Sequence, residues 1–392
     1  MSDTILILGN GFDIAMGRKT KYTDFIEFEQ RLFDRPESDL QAFLDSKNID
    51  IDNYKDNLYL KFINENKDTL GDNWSNLETM ISQLADAIMY FKENSSLLYS
   101  NQFNRPLVSI IKRHKIDWRM SANYSSKLYI ADTFLSLFDE KYWSSLEREV
   151  ALDKLNNEFI RQLDLLIELL EIYLSYLDYL DFEVQGINPK PTALDAVPHL
   201  LSSYVLNFNY TNTSSYLFRT VEERTHFIHG RIDLDRTFNR INTMVFGIED
   251  KENDVNSDLI PYQKYYQRVV KETGNKFEMF FLSKYFVEKI NASGIEKSFP
   301  HERKVAKNII IFGHSVDPLD KEIFQKCFAL AEEGEYPYRF IFTYFDESAK
   351  RSIVKNLAII LSKEKLIQLT GSRNVVFVKS DDKDGMKEVL LS

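Results

Sequence analysis

Thr4-Ile-Leu-Ile-Leu-Gly9-Asn10-Gly11-Phe12-Asp13 is a short apolar run that ends in a glycine turn. Residues 5–8 are isoleucine or leucine with no polar alternation, the pattern of a strand buried on both faces in the middle of a parallel sheet. Gly9 and Gly11 permit a tight turn with backbone N–H groups pointing outward, and a helix is expected to start at once. A strand, a glycine turn and a helix in that order can offer N–H donors to a phosphate or diphosphate. The same residues also read as a plain turn. The third glycine of a dinucleotide fingerprint would fall at Ile14, and the next glycine is Gly17. No ribose-binding acid follows a second strand about 20 residues on; Asp24-Phe-Ile-Glu-Phe-Glu-Gln-Arg-Leu has a helical pattern instead. Both departures speak against a nicotinamide dehydrogenase.

The remaining composition narrows the class. A chain of 392 residues, 44% hydrophobic and 14% aromatic, can bury a large core and form two or three domains. Its formal net charge of −11 disfavours a nonspecific nucleic-acid binder, although a local basic groove stays open. The single cysteine, Cys327, excludes an internal disulfide and a Cys-x-x-Cys zinc site, and it fits a reducing cytoplasm. The buried strand lies so near the first residue that no signal peptide is expected. The most apolar stretch, residues 163–177, is interrupted by Asp164, Glu168 and Glu171, so no membrane span is expected.

Behind the glycine turn, Arg18, Lys19 and Lys21 could neutralise an anionic ligand or simply be solvated. From Asp24 to about residue 188 the chain changes character: no glycine occurs between Gly71 and Gly186, and Pro106 is the only proline between them. Leu77, Ile81, Leu84, Ile88 and Phe91 recur at helical spacing. Residues 146–183 carry a helical pattern without a breaker, roughly 55 Å long at 1.5 Å per residue. Residues 165–180 are apolar over more than one stripe, so this helix needs partners on two sides, from the insert itself or from a second subunit. Pro189, Pro191 and Pro198 mark the end of the block. Strands are then expected near 203–209, 226–229, 243–247, 308–312, 338–344 and 374–378, with helices near 262–270 and 277–290, after Asp320, and over 348–361. Strand–helix alternation of this kind gives parallel β-α-β units. The expected fold is therefore a Rossmann-like α/β domain (residues 1–23 and 199–392) with an all-helical insertion (24–198) after the first strand–helix unit.

Four strand ends carry polar chemistry: Gly9 to Asp13, Asn209 to Thr211, His229-Gly230, and Gly313 to Asp320. Ligands of open parallel sheets bind beyond the carboxyl ends of the strands, so these four can converge. Each alone has a plainer reading. His-Gly can be a surface turn, Ser315 or Asp317 can be a helix cap, and Asp13 can be an acid favoured in the first turn of a helix.

Gly9-Asn-Gly-Phe-Asp13, Trp74-Ser-Asn-Leu-Glu78, Phe208-Asn-Tyr-Thr211, His229-Gly230 and Gly313-His-Ser-Val-Asp-Pro-Leu-Asp320 resemble the signature blocks of the AbiH family, bacterial abortive-infection proteins that act against bacteriophage. The motif order is also similar to sirtuin-like domains of bacterial defence proteins, which bind NAD in a Rossmann-like fold and in many cases hydrolyse it. That likeness implies phosphate-loop positions for Gly9 and Gly11, a matching glycine at Gly17, the asparagine at Asn209, the catalytic histidine at His229, and the ribose-side turn at Gly313 and Ser315. Asn10 stands where those domains carry alanine, Thr211 where they carry aspartate, and the acid after Ser315 is displaced to Asp317 or Asp320. The missing zinc cysteines set the chain apart from protein deacetylases.

The resulting expectation is an anti-phage effector that hydrolyses NAD to ADP-ribose and nicotinamide. Asn209 and His229 are the expected catalytic pair. Gly9, Asn10, Gly11, Phe12, Asp13, Gly17, Gly313, Ser315 and Asp317 are the expected nucleotide-binding set, with NAD as substrate and no metal. Two alternatives stay open. His229, His314, Asp13, Asp317 and Asp320 could form a metal-dependent nuclease for RNA or DNA, or the pocket could be a non-catalytic nucleotide sensor. A homo-oligomer held by the insertion, a phage-derived trigger, no membrane association and a structural role for Cys327 complete the reading.

Overall fold

The computed structural model describes residues 4–34, 36–65, 78, 81–82, 148–248, 259–281, 307–334 and 337–392. Two compact units make it up. Met1–Thr20, Leu174–Asp233 and Glu272–Ser392 form one; Lys21–Tyr173 and Leu234–Lys271 form the other. The expected helical run from Leu77 to Phe91 and the block from Trp74 lie outside the described residues except for Glu78, Ile81 and Ser82. The 282–290 part of the helix expected at 277–290 also lies outside them.

The first unit is built on six parallel strands: β1 (Thr4–Leu8), β2 (Tyr204–Asn207), β3 (Thr225–Phe227), β4 (Lys307–Phe312), β5 (Tyr338–Tyr344) and β6 (Val375–Lys379). Their order is β3-β2-β1-β4-β5-β6. Ile7 of β1 faces Leu206 of β2 on one side and Ile311 of β4 on the other. The order reverses direction at β1, and the crevice at such a switch point is where open α/β sheets take ligands. Every residue of β1 and β4 is buried, as the apolar runs 5–8 and 309–312 dictate for all but the polar first residues of each strand. Alternation along the strands divides the core between two faces. Ile5, Ile7, Ile309, Ile311, Phe340 and Phe342 meet Phe324, Cys327 and Phe328 of the helix Lys321–Glu333. Leu6, Leu8, Ile310, Phe312 and Ile341 meet Phe12, Met16 and Met386. Burial raises the Cys327 thiol pKa far above its ordinary value. The parallel sheet, and the helical insertion after its first strand–helix unit, match the fold expected from sequence.

The strand expected at 243–247 does not form. Those residues lie in the second unit, where no strand neighbours them among the described residues apart from an isolated bridge of Ile248 with Gln263. The Gln267 side chain takes the neighbour's place: its Oε1 accepts the N–H of Phe246 at 3.0 Å and its Nε2 donates to the Phe246 carbonyl at 3.0 Å. One amide side chain thus satisfies a buried backbone unit that β-rich composition alone assigns to a sheet.

The long helix Arg148–Asp178 has 31 residues, roughly 46 Å at 1.5 Å per residue, and its winding then widens into a π-helical turn, Tyr179–Val184. It buries Phe159, Leu163, Leu166, Ile167, Leu170 and Tyr173, and its acids at 164, 168, 171 and 178 fall on one face at spacings near one or two turns. In the second unit Glu168 and Glu171 are hydrogen-bonded. Glu171 takes Arg236 through both carboxylate oxygens at 2.6 and 2.9 Å, and Glu168 accepts from the Tyr54 hydroxyl at 3.3 Å. Lys271 lies near Asp164, and its burial lowers its pKa. No helix among the described residues is long and apolar enough to cross a membrane.

Candidate functional site

At the carboxyl end of the sheet, the turns after β1 and β4 interlock. The Gly9 N–H donates to the Phe312 carbonyl at 3.0 Å, the Gly11 N–H to the Gly313 carbonyl at 2.8 Å, and the Phe12 N–H to the Gly9 carbonyl at 2.8 Å. The outward-pointing donors expected for a diphosphate are therefore committed to the protein's own carbonyls at these three positions. Glycine is required for a different reason. A Cβ on Gly313, whose φ is 71°, would stand 2.1 Å from the Phe12 nitrogen, and one on Gly11 would stand 2.7 Å from the Gly313 Cα.

The other residues expected to bind a nucleotide have visible roles here. Asn10 exchanges hydrogen bonds with Thr20, donating to its carbonyl at 3.2 Å and accepting from its hydroxyl at 2.8 Å. Phe12 is core, with the rings of Phe218 and Phe312 at 5.5 and 6.1 Å. Gly17, at φ 86°, ends the helix Asn10–Ala15, and the Arg18 N–H folds back to the Asp13 carbonyl at 3.0 Å. Ser315 is exposed. Asp317 caps the turn Pro318–Asp320 by accepting the N–H of Leu319 at 3.0 Å, the plainer of its two readings.

Two polar clusters remain. The first surrounds Arg18, whose side chain is fully buried. It donates to Asp178 at 2.6 Å, to Asp181 at 2.7 Å and to the Thr213 hydroxyl at 2.5 Å, with the Phe182 ring 5.0 Å away. Thr213 donates onward to Thr211 at 3.1 Å, and Thr211 to Asp13 Oδ2 at 2.6 Å. The π-helical turn supplies Asp181 and Phe182, and Asp178 ends the helix before it. Burial raises the Asp13 carboxyl pKa against the pull of Arg18 and the threonines, and it pushes Asp178 up to about 6 against Arg18.

The second cluster is aromatic-walled. His229 Nε2 is 3.0 Å from Asp320 Oδ1, and His314 Nε2 is 3.4 Å from Asp320 Oδ2. Phe208 stands at 73° to the His229 ring and 68° to the His314 ring, with centroids at 5.5 and 4.4 Å. Asn209 lies two residues beyond β2, and its Nδ2 donates to the Gly9 carbonyl at 2.9 Å. All five of these residues are buried. His226, within β3, stacks on Phe277, and burial lowers its pKa to about 4, which makes it a poor base near neutrality. Both imidazoles aim at carboxylate oxygens rather than at a shared point. No group of three or more His, Cys, Asp or Glu among the described residues is arranged to hold a metal ion.

The structure thus brings Asn209 to the Gly9 turn and His229 to Asp320. Sequence reasoning gave His314 weight only as a metal ligand and Asp320 only as a metal ligand or the displaced acid after Ser315, and it missed Arg18, Asp178 and Thr213 as a unit. The signal for the first was Pro318, which delays the helix until Lys321 and lets the turn carry Asp320 back to His314. The signal for the second was a basic residue directly after a helix-ending glycine.

The model of the family described as bacteriophage abortive infection AbiH matches residues 5–342, from β1 into β5. No curated protein and no solved structure matches the chain. The chain belongs to the AbiH family.

Proposed function

We propose that this AbiH-family chain is an abortive-infection effector that hydrolyses NAD, releasing nicotinamide and leaving ADP-ribose. The observation that carries the reading is the 3.0 Å bond between His229 and Asp320 at the carboxyl end of the sheet, where Asn209 bonds to the Gly9 carbonyl. The likeness of the motif order to sirtuin-like defence domains supplies the substrate. A water adds to the ribose carbon, the glycosidic bond breaks with its electron pair passing to the nicotinamide nitrogen, and His229 accepts the proton from water. Asn209, with Nδ2 committed to Gly9, orients the ribose or the water through its carbonyl oxygen. Because the N–H groups of Gly9, Gly11 and Phe12 are already bonded, recognition of the diphosphate falls to other groups.

The test incubates the pure chain with NAD, RNA and DNA, with and without EDTA. NAD loss that survives EDTA supports the reading. EDTA-sensitive cleavage of nucleic acid replaces it with a metal-dependent nuclease, and binding without turnover replaces it with a sensor. His229→Ala should cost about 10²–10⁴-fold in turnover, Asn209→Ala a comparable factor, and the double variant little more. Full turnover by His229→Ala ends the hypothesis. A cytoplasmic homo-oligomer assembled through the helical insertion is part of the same proposal; because Leu166, Leu170 and Leu174 are already buried within the chain, it needs surface other than residues 165–180, and light scattering that reads a monomer at micromolar concentration counts against it.

A further inference from the structure

His229 has two ring nitrogens, and the fold commits one of them. Nε2 points at Asp320 Oδ1 at 3.0 Å. An ionised carboxylate only accepts, so the proton of the neutral ring belongs on Nε2. The state of His314 is fixed from the other side. Its Nδ1 accepts the backbone N–H of Val316 at 2.8 Å. A backbone N–H only donates, so Nδ1 of His314 carries no proton. The proton of that ring lies on Nε2, toward Asp320 Oδ2 at 3.4 Å.

The turn that holds His314 is strained. Val316 has φ 56°, a left-handed conformation that is costly for a β-branched residue. Such a residue persists only where its surroundings leave no alternative. Here the Val316 side chain is fully buried in the core, and Asp317 and Pro318 close the next turn directly behind it. The aromatic walls limit rotation of the rings. Phe208 stands steeply against both imidazoles, and Phe324 stands at 60° to His314 with centroids 5.0 Å apart.

We infer that Asp320 is the positioning residue of this site, holding His229 with its proton on Nε2 so that Nδ1 is the nitrogen that takes a proton from the attacking water, while His314, whose Nδ1 is taken by the Val316 N–H, is not a second base. The role given to His229 rests on the reading under Proposed function; the two tautomers do not. The carboxylate charge beside His229 favours the imidazolium that forms when Nδ1 is protonated. The proton balance is simple: one proton leaves water for Nδ1, and the proton on Nε2 stays with Asp320.

The experiment is nitrogen-15 NMR of the histidine rings in the full chain, with signals assigned among its six histidines by His229→Gln and His314→Gln. The expected result is His314 protonated on Nε2 alone, and neutral His229 protonated on Nε2 and gaining its second proton on Nδ1. Asp320→Asn should release the His229 tautomer, shift the acid limb of the kcat/KM profile to lower pH and reduce turnover at least about 10²-fold; Asp320→Glu should restore part of it. A proton on His314 Nδ1 overturns the inference, as does an unchanged His229 tautomer in Asp320→Asn. If Asp320→Asn fails to fold, the wild-type spectrum decides alone. Fixed tautomers in a chain that leaves NAD intact sink the NAD reading and leave this inference standing.

Discussion

The arginine cluster and the histidine cluster sit at the same end of one sheet and use buried polarity in opposite ways. Around Arg18, a permanent charge is locked by two carboxylates and a hydroxyl, and each donor has a short, directed partner. Around Asp320, one carboxylate is faced by two imidazole nitrogens, at 3.0 and 3.4 Å. The first arrangement suits a fixed tie between the Gly9 loop, the loop after β2 and the π-helical turn. The second suits proton transfer. Burial alone does not separate scaffold from chemistry; what differs is the group at the centre, a permanent cation in one cluster and a carboxylate facing two imidazoles in the other.

Breaking each cluster should therefore give different symptoms. Arg18→Met leaves Asp178 and Asp181 without their cation and should destabilise the chain by about 3–5 kcal/mol in urea denaturation. A cost below about 1 kcal/mol would mean that the arginine cluster is not a structural tie. Gly313→Ala comes next, at about 2–4 kcal/mol, because it adds left-handed strain to a collision with the backbone of Gly11 and Phe12. A bulky residue at Gly11 should likewise damage the fold, since the contact it meets is Gly313. His229→Gln should cost only about 1 kcal/mol of stability while abolishing most turnover. Equal losses of both would blur the distinction between the clusters. Cys327→Ala should cost about 1–2 kcal/mol and leave turnover intact, because the thiol lies in the apolar core.

The smallest effect is a pH dependence. Asp178 has its pKa near 6 in the folded chain against an ordinary 3.8, so between those values the folded state holds more protons. Its contribution to stability is full below about pH 4 and is lost as pH rises through about 6. Asp178→Asn lacks that contribution, so its deficit in Tm against the wild type should be larger at pH 4.5 than at pH 7.5. A gap that stays constant would show that Asp178 titrates normally.

The amino-acid sequence by itself determined the sheet. Runs such as residues 5–8 and 309–312 have no polar face, and only the interior of a parallel sheet covers both sides of a strand. It also determined the helical block, through the 3.6-residue period and the missing breakers, and it marked Asn209 and His229 as polar residues at strand ends. The stretch 243–247 misled because composition records a buried, β-rich backbone but not which group bonds to it, and here a glutamine side chain does so. The glycine turn misled for a related reason: its N–H groups suit a phosphate, but they equally suit the Gly313 carbonyl, which lies about 300 residues away in sequence and beside it in space. Only the tertiary structure decided which acid meets which base. Arg18 with Asp178 and His229 with Asp320 are contacts between distant segments, and the energy of a buried charge depends on the partner that packing places within hydrogen-bond reach, which local sequence does not encode.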